Sequence, residues 1–114
     1  MSRYQNLPEL FFSKTKENLK NQHLLKINSS TNEVESWTWS NTYSSVNKIY
    51  QFINSQNLEK DERILLVSEN RPEWMAADVA IMSNQLIAVP NYITYTSRDF
   101  EHILNDSKPK GLIV

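Results

Sequence analysis

The sequence predicts an α/β fold: an N-terminal helix and β-hairpin, then a βαβαβ unit built on a parallel sheet. Three observations predict it. Arg63–Ser68 and Leu86–Val89 are short apolar runs without alternation, the pattern of strands buried on both faces. Between them, Trp74–Met82 is apolar almost all round, with Asp78 its only charge, as expected of a crossover helix packed on a sheet. A third apolar run, Gly111–Val114, follows another amphipathic stretch and Pro109. The expected strands start near Ile64, Leu86 and Leu112 and lie parallel, joined by right-handed crossovers.

The elements follow in order. Asn6 to about Asn18 reads as a helix: Asn6 can cap it, Pro8 suits the first turn, and Glu9 completes the box. Leu7, Leu10, Phe11 and Leu19 make its apolar side. His23–Asn28 and Val34–Trp39 read as two strands joined by the polar loop 29–32, an antiparallel hairpin with Trp37 and Trp39 on one face. Ser40 is expected to cap a long helix to about Gln56, buried along Tyr43, Val46, Tyr50 and Ile53 with Ile49 alongside. Asn57 suits a left-handed helix end, with Leu58 as an apolar clamp. Glu59–Glu62 is a charged turn. The central helix has Asn70 as its expected cap, Pro72 in the first turn and Glu73 three residues on. After the connector Asn91–Tyr95, Thr96–Asp99 is a third capping arrangement. It opens a helix to about Asp106 with Phe100, Ile103 and Leu104 inward. Residues 1–62 thus form the leading helix, hairpin and long helix, and 63–114 the βαβαβ unit. No repeat or low-complexity segment interrupts them.

Composition excludes several classes. At 114 residues the chain holds one domain at most. It is 39% hydrophobic and 22% charged, which argues for a packed core over disorder. A net charge of −1 gives no electrostatic footprint for nucleic acid. No cysteine means no disulfide and no thiolate metal site. The start MSRYQNLPEL lacks the apolar core of a signal peptide, so a cytoplasmic location is the default. Nothing indicates peripheral membrane association, although the sequence leaves it open. The single glycine, Gly111, excludes a glycine-rich phosphate cradle, which needs several residues without a Cβ. The last residues, Leu112–Val114, form an apolar strand with nothing after them to cover it, so a fragment of a larger domain is expected.

Side chains that could carry chemistry have simpler readings. His23 and His102 are distant in sequence and lack an acidic cluster, so both read as boundary or surface residues. Ser40 and Ser68 lack a nucleophile elbow. Trp37, Trp39 and Trp74 could stack on a ligand but suit core or boundary packing better. Glu69, Asn70, Arg71 and Glu73 sit beyond the carboxyl end of a parallel strand, where ligands bind in open α/β sheets, and form the best-placed candidate cluster. Their competing reading is helix capping by Asn70 and Glu73, with Glu69 and Arg71 paired or solvated.

Several motifs occur in one characteristic order. They are Leu7-Pro8-Glu9-Leu10, Trp37-Thr38-Trp39-Ser40 before a long helix, the strand Arg63–Val67, and Ser68-Glu69-Asn70-Arg71-Pro72-Glu73-Trp74. Ala77-Asp78-Val79-Ala80-Ile81, Val89-Pro90-Asn91-Tyr92 and His102-Ile103-Leu104-Asn105-Asp106-Ser107 complete the set. In this order they resemble the N-terminal part of the AMP-binding, adenylate-forming enzymes, most of all the long-chain fatty acyl-CoA synthetases. The likeness covers nearly the whole chain but only about the first fifth of a typical member. Members usually carry glycine where this chain has Asn57, Asp61 and Gln85. Asn and Asp tolerate positive φ, whereas at the third position Asn84 is expected to take the left-handed conformation instead of Gln85. Ile93 stands where many members have proline.

The resemblance implies a two-step ligase in the full-length enzyme. A fatty acid carboxylate attacks the α-phosphate of ATP to give an acyl-adenylate and pyrophosphate, and the thiol of coenzyme A then displaces AMP. The phosphate loop, the Mg²⁺-binding glutamate, the ribose-binding aspartate and the C-terminal lysine of the family all lie beyond the stretch matched here. Pro109-Lys110-Gly111 imitates the end of the phosphate loop in composition only. The resemblance therefore carries no catalytic, cofactor-binding or metal-binding residue onto this chain. It implies a scaffold that partners the remainder of the AMP-binding domain, with ATP, Mg²⁺ and coenzyme A expected to bind only the full-length enzyme. Two other readings are another adenylate-forming branch, such as a peptide-synthetase adenylation domain, and a non-catalytic α/β interaction module.

Overall fold

A computed structural model describes residues 3–114. Its elements are α1 (Leu7–Asn18), β1 (Gln22–Ile27), β2 (Val34–Thr38), α2 (Trp39–Ser55), β3 (Arg63–Val67), α3 (Pro72–Ser83), β4 (Ile87–Asn91), α4 (Ser97–Ser107) and β5 (Gly111–Ile113). β1 and β2 form the antiparallel hairpin. β3 is the centre of a three-stranded sheet in the order β4-β3-β5, parallel on both sides. The α/β class and the parallel βαβαβ unit stand as the sequence predicts.

Local chemistry sets where the helices begin. The Asn6 side chain accepts from the Glu9 N–H at 2.8 Å, and Glu9 reaches back to the Gln5 N–H. Thr96 and Asp99 form a reciprocal capping box. α2 begins earlier than expected. Thr38, not Ser40, is its cap: the Thr38 hydroxyl accepts from the Asn41 N–H, and the Asn41 side chain accepts from the Thr38 N–H. Trp39 is thus the first residue of α2 and does not share a strand face with Trp37. α3 is capped at Arg71, with no side-chain hydrogen bond, instead of at Asn70. Pro72 occupies the first helical position, where its missing N–H costs nothing, and that fixes the cap one residue later.

One core lies between the sheet and α1, α2 and α3. It joins Phe11, Val46, Ile53, Ile64, Ala76, Val79, Ala80, Ile81 and Leu86. Ala76, Ala80 and Val46 have no exposed surface, and such small side chains let α2 and α3 approach closely. The buried stripe of α2 runs through Thr42, Val46 and Ile53, with Ile49 and Tyr50 half-buried; Tyr43, expected inside, is exposed. Leu7 and Leu19 are also exposed, leaving Phe11 and Thr15 as the buried residues of α1. Asn84 ties α3 to α2, donating to the Tyr50 and Ala80 carbonyls.

The step from β4 back across β3 to β5 reverses direction, so the right-handed crossover rule puts α4 on the face opposite α3. Leu65, which points to that face, is buried. The cover is thin: α4 buries no residue fully, and Leu104, expected inward, is exposed with Leu112 beside β3.

The scarcity of glycine shows in the backbone. Asn32, Asn57, Asp61, Gln85 and Lys108 all take positive φ. Asn57 and Asp61 do so as expected. At the third site Gln85 (φ 60), not Asn84 (φ −85), is left-handed. The reason is tertiary. The Gln85 carbonyl must accept from the Asp61 N–H at 2.9 Å, while the Asn84 side chain is held by α2 and α3.

Candidate functional site

The carboxyl ends of β3 and β4 define the most ligand-like region. Val67 leads into the loop 68–71, and Asn91 leads into the exposed connector at Tyr92 and Ile93. Two clefts meet here. One, of about 700 Å³, lies between β1 (Leu24–Ile27) and the loop from Glu69 to Pro72. The other, of about 490 Å³, lies between Ser68–Asn70 and the segment from Pro90 to Thr94. Trp74 borders both, so its half-buried indole forms a wall between them.

The charges of the loop are largely committed to each other. Arg71 donates to Glu73 through Nε at 3.0 Å and Nη2 at 3.3 Å. That hydrogen bond raises the Arg71 pKa and holds the Glu73 carboxyl below the usual carboxylate range. Glu73 is thus spent on Arg71, and neither it nor Asn70 caps α3. Glu69 and Asn70 are exposed, and the Ser68 hydroxyl donates to the Glu69 carbonyl. Asn91, buried at the floor of the second cleft, donates its Nδ2 to the Val89 carbonyl at 2.7 Å.

These residues do not fit a nucleotide polyphosphate. The loop's cation is neutralised by a bidentate partner, and Glu69 adds a negative charge beside it. Pro109-Lys110-Gly111 leads into β5 instead of a phosphate loop: the Lys110 N–H donates to the Arg63 carbonyl, and Gly111 lies in the strand. Among the described residues no group of three His, Asp or Glu side chains could hold a metal ion.

The other singled-out residues are dispersed. His23 lies where α1, β1 and α2 meet, stacked on Trp39 at 3.8 Å between ring centroids and bonded through Nδ1 to Thr42 Oγ1 at 2.9 Å. His102 and Ser40 are exposed on α4 and α2. Trp37 sits on the hairpin, donating to Glu35. Sequence reasoning passed over Asp78. Burial pushes its carboxyl above the usual range, and it lies one turn from both Trp74 and Met82. Its isolation in an apolar helix was the available signal. The β1 wall of the larger cleft had no local signal, because only the docking of the hairpin brings it to the loop.

A parallel sheet with its helices and an N-terminal hairpin narrows the class, and the comparisons with known proteins agree. Residues 14–114 match the AMP-binding enzyme family, and the chain belongs to it. It is 36% identical over 67 residues to fatty acyl-CoA synthetase A of Dictyostelium discoideum; the match covers 59% of this chain and 10% of that protein. Its fold matches a fatty acid AMP ligase from Legionella pneumophila with a TM-score of 0.86 at 17% identity, over 96% of this chain and 19% of that one. A Mycobacterium tuberculosis fatty acyl CoA synthetase matches with a TM-score of 0.80 at 18% identity, over 94% and 20%. The chain therefore spans about a fifth or less of these relatives.

Proposed function

We propose that this chain is the N-terminal scaffold of an ATP-dependent fatty acyl-CoA synthetase acting on long-chain fatty acids. The observation that carries the reading is the run Ser68–Trp74 at the carboxyl end of the central strand, in a chain of which 67 residues are 36% identical to a fatty acyl-CoA synthetase. In this reading ATP, Mg²⁺ and coenzyme A act on the full-length enzyme in the cytoplasm. The 114 residues supply the central sheet and the cleft wall at Trp74. Activation of a carboxylate needs cations and converging backbone N–H groups at the α-phosphate, and the Arg71–Glu73 pair supplies neither.

The experiment is pyrophosphate release with ATP, Mg²⁺ and palmitate, run on this chain and on one continued through a phosphate loop and C-terminal lysine. The expected result is no turnover by the 114 residues and acyl-CoA formation by the longer chain. Turnover by the short chain would overturn the scaffold reading. A folded longer chain inactive on all fatty acids would remove the substrate assignment.

A further inference from the structure

We propose that the stripe Trp74–Asp78–Met82 on α3 is a contact surface for a segment of the longer enzyme outside these 114 residues, and that this segment sets a positively charged side chain against the Asp78 carboxylate. The proposal gives the scaffold a partner surface and rests on the scaffold reading.

α3 is built for burial on every side. Of its 12 residues only Glu73, Asp78 and Ser83 are polar. A helix without a polar face belongs inside a larger core. Its inner side meets that expectation: Ala76, Ala77, Val79, Ala80 and Ile81 are buried, and Asn84 fastens the helix to α2. The outer side does not. Trp74, Asp78 and Met82 recur every fourth residue, so they lie in one stripe, and all three are only half-buried. The chain spans about a fifth or less of its matched relatives, so a longer enzyme has chain enough to cover that stripe.

Asp78 specifies the chemistry of the cover. Glu73 is paired with Arg71, and the Ser83 hydroxyl donates to the Val79 carbonyl at 2.7 Å. Asp78 has neither a hydrogen bond nor an ion pair among the described residues. Burial alone raises its pKa, with no described cation to offset it. Covering the stripe with apolar side chains only would bury an unpaired carboxylate, which is costly. A cation in the cover removes that cost, because it pairs with the carboxylate as water leaves. Trp74, one turn away, adds an indole face that also attracts a positive charge.

Hydrogen exchange at residues 72–83, read by mass spectrometry at pH 7, tests the contact in the continued chain used for pyrophosphate release, with the 114-residue chain as reference. These amides should exchange about tenfold more slowly, or slower still, in the continued chain. Asp78→Asn keeps the shape and removes the charge, and Asp78→Leu suits a purely apolar cover. In the continued chain both should lose most of the added protection. In the 114-residue chain neither should lower protection, because no partner is lost. Equal exchange in the two wild-type chains would overturn the proposal. So would an Asp78→Leu variant that keeps the added protection, which would mean an apolar cover, or an Asp78→Asn variant that keeps it, which would mean a neutral donor. Exchange is read without turnover, so a continued chain inactive on fatty acids would remove the substrate assignment and leave this contact standing.

Discussion

Replacing Gln85 with glycine should stabilise the chain, although it removes a side chain and loosens the unfolded state. Gln85 follows α3 at φ 60, where a Cβ crowds the backbone at a cost of about 1–2 kcal/mol. Its side chain is exposed and makes no hydrogen bond, so little is lost with it. Its backbone bonds, from its N–H to Met82 and from Asp61 to its carbonyl, need no side chain and survive. The entropy of an added glycine opposes the gain by about 0.5–1 kcal/mol. The net expectation is a stabilisation of about 0.5–1 kcal/mol. Urea unfolding should report it as a midpoint raised by about 0.3–0.7 M, given a slope near 1.5 kcal/mol/M. Asn84→Gly is the control. At φ −85 it relieves no strain, and it deletes the bonds to Tyr50 and Ala80, so the midpoint should fall. A Gln85→Gly midpoint at or below wild type, or an Asn84→Gly midpoint above it, would refute the assignment of the left-handed position.

Two further expectations concern the aromatic boundary. Trp74→Ala should destabilise by about 1–3 kcal/mol in the same urea assay, because the indole is half-buried and full burial would make the loss about 3–5 kcal/mol. A cost below about 0.5 kcal/mol would mean the ring does not support the fold. Burial lowers the His23 pKa in the folded chain, so the unfolded state binds more protons near and below the ordinary value of 6.5. Stability contributed here is fully present above pH 6.5 and falls as the pH drops toward the lowered folded value. His23→Gln should flatten that part of the pH–stability curve, and an unchanged slope would show that His23 does not titrate on unfolding.

Much of the fold is local chemistry and is legible as such. Strands without alternation, a helix apolar all round, and the caps at Asn6 and Thr96 each follow from side-chain type and spacing. The cap of α3 was misread: Asn70 was expected on the spacing that Asn6 and Pro8 follow in α1, whereas Pro72 is the first helical residue of α3 and puts the cap at Arg71. Nor was the Thr38 cap legible. Thr38 and Ser40 are both good caps, and the choice fell where β2 releases its pairing with Gln22 and Trp39 turns onto His23. Left-handed positions were read at Asn57 and Asp61, were not read at Asn32 and Lys108, and were misplaced to Asn84 from Gln85, whose carbonyl accepts a hydrogen bond from Asp61, 24 residues earlier.

The sequence by itself determined the class of fold, the family likeness, and the lack of a glycine cradle for phosphates, since these depend on residue type and order along the chain. Only the tertiary structure decided that Arg71 is neutralised by Glu73, that Trp74 divides two clefts, and that β3 lies between β4 and β5. Pairing order and burial arise from contacts between segments distant in sequence. A local pattern sets which face of an element is apolar, but not which neighbour covers it.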